Sequence, residues 1–168
     1  EYDIIDLATL EKKTITRDFD SAPENEILLG RDCTIRFMND KYIFALNHVN
    51  NISDKETITS AISIYDYDGN LVKSVDTGYL NESIWKTTQN QDGTYNNTHY
   101  NESFTLKAID GDTIYAEYVV SGDDDTLKKR GKKPVRDIMY TTVDELLSGT
   151  SNWQKAYSTL EEASNDAE

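Results

Sequence analysis

Ser63-Ile64-Tyr65-Asp66-Tyr67-Asp68-Gly69-Asn70-Leu71-Val72 puts an Asp-Gly pair between two runs, 57–67 and 70–76, in which apolar and polar residues alternate. Period-two alternation sends successive side chains to opposite faces of an extended chain, so each run has one face for a core and one for water. Asp-Gly between such runs predicts a two-residue type I′ turn, whose central positions both need positive φ. The segment therefore reads as a β-hairpin. The same device returns at Asp110-Gly111, between residues 103–109 and 113–120. Upstream, residues 34–38 and 41–47 flank Asn39-Asp40, with Ile35, Phe37, Tyr42, Phe44 and Leu46 at alternate positions. Residues 2–7 and 13–19 form a further pair across 8–11, and the polar stretch 20–25, with Pro23, breaks the pattern. The predicted fold class is mainly β, an antiparallel meander of hairpins.

The rest of the composition agrees with a folded, very soluble chain. At about 150 residues per domain, the 168 residues make a single β-rich domain spanning 1–168. The hydrophobic share is only 37%, but 11 Tyr, 4 Phe and 2 Trp supply the bulk that a disordered tail lacks. Seventeen basic against 31 acidic side chains leave a net charge of −14. A field of that sign repels nucleic acid and anionic lipid, so neither is expected as a partner. No apolar run approaches the roughly 18 residues a spanning helix needs, so membrane insertion is not expected. Cys33 stands alone, which excludes an internal disulfide and a Cys-rich zinc module.

Aligning the two Asp-Gly pairs sets Ile62, Ile64, Leu71 and Val75 against Phe104, Leu106, Thr113 and Glu117, a weak repeat of roughly 40 residues. With the 34–47 hairpin before it, the 63–72 segment resembles one blade of a bacterial β-propeller. The resemblance implies residues 34–38 and 41–47 as inner strands and 61–67 and 71–76 as outer strands. Residues 2–19 become the outer half of a preceding blade, and 104–120 the inner half of a following one. Two to three such units fall short of a ring of about four, so closure requires more chain or a second subunit. The same strands also suit an up-and-down barrel or a sandwich.

After Asp123 the texture changes. Asp123-Asp124-Asp125 precede the basic run Lys128, Lys129, Arg130, Lys132 and Lys133, and an apolar strand follows at 135–140. Thr142-Val143-Asp144-Glu145 then fits a capping box, with Gly149 as the stop. Asn152 reads as the cap of a second helix from Trp153 to Ala163, with Trp153, Ala156, Tyr157 and Leu160 on one face. Together these predict a short C-terminal helical extension, 142–164, packed on the β structure.

Chemistry is sparse. There is no G-x-S-x-G, P-loop or G-x-G-x-x-G pattern, and no catalytic residue is nominated. His48 and His99 lie far apart outside any ligand spacing and read as surface or turn residues. Cys33 reads as a small hydrophobe beside a strand. Asp66, Asp68 and Asn70 begin like a calcium loop, but Thr77 stands where its last carboxylate belongs, so no metal or other cofactor is expected. The basic run has two readings: an anchor for an anionic surface or acidic protein, or pairing with the neighbouring Asp123–Asp125 triplet, which is the commoner arrangement. In the 85–100 segment, Trp85, Tyr95 and Tyr100 are interleaved with Asn96 and other amide and hydroxyl residues. Rings cover apolar sugar faces while amides satisfy hydroxyls, so Trp85, Tyr95, Asn96 and Tyr100 form the candidate binding set. The plainer reading is a long solvated hairpin with Asp92-Gly93 at its tip.

The expected function is a non-catalytic, extracytoplasmic binding or interaction module of a bacterial surface or secreted protein, taking a glycan or a protein ligand. A start at Glu1, without Met, and an Asn-, Thr- and Tyr-rich surface motivate the location. The alternatives are a fragment of a carbohydrate-active enzyme and a structural module that forms homo-oligomers through unpaired strand edges.

Overall fold

The computed structural model describes residues 2–5, 8–15, 34–50 and 58–157. In chain order the elements are β1 (Tyr2–Ile5), β2 (Lys12–Ile15), β3 (Thr34–Met38), β4 (Ile43–Asn50), β5 (Ile58–Tyr65), β6 (Leu71–Leu80), β7 (Glu82–Gln89), β8 (Tyr95–Asp110), β9 (Thr113–Gly122), α1 (Asp124–Lys129), β10 (Val135–Thr142), α2 (Val143–Ser148) and β11 (Gln154–Tyr157). All pairings are antiparallel. Sheet order is β1-β2, β3-β4-β5-β6 and β11-β10-β9-β8-β7, so the expected hairpin meander is present. Among the described residues neither larger sheet closes on itself, which sets aside the up-and-down barrel. The segment expected as the inner half of a following blade is instead β8–β9, flanked by β7 and β10 within the five-stranded sheet.

The turns differ from the type I′ reading. Gly69 alone has positive φ in the 66–70 turn (φ 86). Its N–H donates to Asp66 O at 3.1 Å, and Asp66 N–H donates to Asn70 O at 3.0 Å. That is a three-residue loop ending in a left-handed glycine. Asp66 decides it: its carboxylate accepts from Asp68 N, Asn70 N and Asn70 Nδ2 at 2.8 to 2.9 Å, a local ring of bonds that a two-residue turn cannot form. At the second site Asp110 pairs with Thr113, so Gly111 (φ 55), not Asp110, takes the first central position.

One hydrophobic cluster draws on both larger sheets and on α2. Phe44, Leu46, Ile62, Ile64 and Val75 meet Phe104, Leu106, Ile114, Ala116, Met139, Val143 and Leu146. Of the alternate apolar positions noted in sequence, Phe44, Leu46, Ile62 and Ile64 are buried in this cluster and Ile35, Phe37 and Tyr42 only partly. Ile43, Ala45, Ala61 and Ser63, of the opposite parity, are buried as well, so the middle strands β4 and β5 are covered on both faces and not on one as expected. Asn81 makes the passage between sheets, because β6 runs into β7 through that residue alone. Its Nδ2 donates to Ser60 Oγ of β5, and its Oδ1 accepts the Phe104 N–H of β8 at 3.0 Å. The side-chain amide thus meets both sheets where the ladder changes over. Just before it, Gly78 adopts φ 76, and Thr77 Oγ1 donates to Ser60 O at 2.8 Å, a bulge that bends β6 toward the second sheet.

α2 follows its sequence signals. Thr142 Oγ1 accepts the Glu145 N–H at 3.2 Å, Gly149 is left-handed at φ 88, and Val143 and Leu146 are buried. The second helix is overturned at its start: Gln154–Tyr157 is a strand paired with β10. Trp153, Ala156 and Tyr157 fit a helical face, but so short a run is ambiguous, and the edge of β10 offers a ladder. Residues 158–164 of the expected extension, Cys33 and the 20–25 break lie outside the described residues.

Candidate functional site

β8 pairs with β9 only from Tyr100 onward, whereas β7 accompanies it back to Tyr95. The β7–β8 hairpin therefore continues past the sheet as a two-stranded arm, and every residue from Trp85 to Asn97 is exposed. The register Trp85↔His99, Thr87↔Asn97 and Gln89↔Tyr95 has no shift. Residues directly opposite in an antiparallel pair share a face. One arm face thus carries Trp85, Thr87, Gln89, Tyr95, Asn97 and His99, and the other carries Lys86, Thr88, Asn96 and Thr98.

On the first face Trp85 is 77% exposed and Tyr95 66%. The Trp85 and His99 ring centroids lie 4.0 Å apart at a 32° tilt. Thr87 Oγ1 donates to Asn97 Oδ1 at 2.8 Å, which leaves the Asn97 amide hydrogens for another acceptor. The tip is tied by Gly93 N to Asn90 O at 3.0 Å and by Asp92, which accepts from Thr94 N and Oγ1. At the root, Asp123 caps α1 and takes the His99 N–H at 2.8 Å. The His99 N–H, followed by the Thr126 bonds, holds the Asp123 carboxyl down at about 2.

Of the four residues expected to act together, this face unites Trp85 and Tyr95. Asn96 lies on the opposite face, and Tyr100 is fully buried with Val120 and Leu127. Strand parity is the reason: even positions of this part of β8 turn to the core side. His99, read as a surface or turn residue, is the missed member, and counting by twos across the 90–94 tip finds it. The side chain of His48 lies outside the described residues.

The basic run divides as well. Arg130 donates to Glu82 through Nη1 at 2.5 Å and Nη2 at 2.8 Å, and its guanidinium lies 4.2 Å from the Tyr100 ring centroid. Lys132 Nζ stands 2.9 Å from Glu102 Oε1. The expected pairing with the Asp123–Asp125 triplet is replaced by a helix: Asp124 and Asp125 occupy the first turn of α1, and Lys128 and Lys129 the last, as the helix dipole favours. Lys128, Lys129 and Lys133 are exposed. An Asp cap, an acidic first turn and a basic last turn were legible signals for α1.

Glu102 is the most buried charge on the sheet, 2% exposed, and was not singled out by sequence. It accepts from Tyr100 Oη, from Tyr118 Oη at 2.6 Å and from Lys132. Burial pushes its carboxyl up, but these three bonds and the Lys132 charge outweigh burial and hold it below the usual range. Tyr100 is pushed up to about 12, by burial first and then by Glu102, and Tyr118 is raised for the same reasons. The cluster is an ionised anchor whose donors all converge on one carboxylate. No group of three or more His, Cys, Asp or Glu placed to hold a metal occurs among the described residues, and no helix there is long and apolar enough to cross a membrane. Compared with known proteins, the chain matches no family model, no curated protein and no solved structure.

Proposed function

We propose that this chain is a non-catalytic binding module of an extracytoplasmic bacterial protein and that it engages its ligand through the Trp85 face of the β7–β8 arm. The observation that carries the reading is two large rings held in solvent on one face of a strand pair. An exposed two-stranded ribbon is marginal by itself, and rings kept on it without burial are better suited to an interface than to folding. Its root is anchored through Asp123 and α1, so the face is presented in a defined orientation. The in-order meander β3-β4-β5-β6 supports membership in a propeller-like assembly, while the core shared with the five-stranded sheet supports a self-contained sandwich.

A glycan array and sedimentation with insoluble peptidoglycan test the reading, each run on the wild type and on Trp85→Ala. Retention that falls with Trp85→Ala and not with Lys86→Ala is the expected result. Blank surfaces, or retention indifferent to both substitutions, overturn it.

A further inference from the structure

Building on the arm as the contact surface, we infer that its occupant is a linear, uncharged oligosaccharide lying along the hairpin, one ring against Trp85 and a later one against Tyr95. Charge is the first argument. None of the six arm-face residues carries a formal charge, in a chain where 29% of residues do. The next register row inward, Ser83↔Asn101↔Ser121, is uncharged as well. Inward of it the first charge on that side of the sheet is Arg136, in the row Ser103↔Val119↔Arg136. It is already paired at 2.6 Å with Glu117 of the following row, which Lys107 also meets at 2.7 Å. An anionic or cationic ligand finds no countercharge on this strip, whereas a neutral polyol needs none.

Spacing is the second argument. The Trp85 row and the Tyr95 row are four residues apart along the strand, about 13 Å at the usual rise. That is too far for a single sugar and suits a short chain. Between the rings lie Thr87 and Asn97, a hydroxyl and an amide whose mutual bond leaves donors and acceptors for sugar hydroxyls. A pyranose offers an apolar C–H face to a ring and a hydroxyl rim to such groups, and His99 packed on Trp85 steadies that ring.

The test is calorimetry together with tryptophan fluorescence on the full chain. The probes are cello- and chito-oligosaccharides from disaccharide to hexasaccharide, with oligogalacturonate as the charged control. Affinity is expected to rise with length and to level off once both rings are covered. Trp85→Ala should weaken binding about tenfold or more at every length, as loss of a stacked ring does. Tyr95→Ala should weaken only the longer chains, and Asn96→Ala, on the opposite face, none. Circular dichroism of each variant confirms folding. Binding without length dependence, tighter binding of oligogalacturonate, or no binding of neutral saccharides overturns the inference. If peptidoglycan retention still depends on Trp85 while the neutral oligosaccharides fail, the arm remains the contact surface and the ligand class is wrong.

Discussion

The two halves of β8 obey the same period and meet opposite fates. From Tyr100 to Leu106 every second residue is buried, and from Tyr95 to Asn97 every residue is exposed. The difference lies in neighbours, since the inner half has β9 at its side and the β3–β6 sheet and α1 over its face. Burial at roughly 25 cal/mol per Å² stabilises that half, while the arm has ladder hydrogen bonds and little else. A strand pattern therefore specifies which side chains agree on a face, and the fold decides whether anything sits on it.

The strongest way to break the comparison is Phe104→Ala. Phe104 stacks on Tyr79 at 4.7 Å and meets the edge of Trp153 at 4.9 Å, so its removal should cost about 3–5 kcal/mol in urea unfolding. A loss under about 1 kcal/mol would mean that the inner half is no core. Next comes Glu102→Ala, which strands the buried hydroxyl of Tyr100 and the part-buried one of Tyr118. Lys132 can still reach water, so the expected cost is about 2–4 kcal/mol, with Glu102→Gln milder.

The same carboxylate sets a pH dependence. Its folded pKa lies below the ordinary 4.5, so its contribution is full above that value and is lost as pH falls through the lower folded value. Urea midpoints measured against pH should show this loss in the wild type and a flatter curve in Glu102→Gln. Asn81→Ala should cost about 1–2 kcal/mol, because it leaves the Phe104 N–H without its acceptor at the passage between sheets. Smallest is Trp85→Ala, expected to shift stability by less than about 0.5 kcal/mol. A shift as large as that for Asn81 would place the arm within the cooperative core.

Much of this was legible beforehand. The hairpins at 34–47 and 57–76, the cap at Thr142 and the stop at Gly149 all follow from local chemistry, and local chemistry is what a sequence writes out. The turn at Gly69 was placed correctly but given the wrong form, because the bonds made by Asp66 rather than the Asp-Gly pair select it. Gln154–Tyr157 was misread because a run so short satisfies both periods and only the waiting edge of β10 breaks the tie. The candidate binding set divides for the opposite reason: composition groups Asn96 and Tyr100 with Trp85, while parity places them on the other side of the strand pair.

By itself the sequence determined an antiparallel β chain, the positions of most of its turns, its acidic surface and one capped helix, since each depends on residues within a few positions of one another. Only the tertiary structure decided that β6 crosses to a second sheet at Asn81, that Glu102 gathers Tyr100, Tyr118 and Lys132, and that Trp85 and Tyr95 stay in solvent while Tyr100 is buried. Those facts rest on contacts between distant segments, whose pairing depends on which faces bury one another and on no short stretch of the chain.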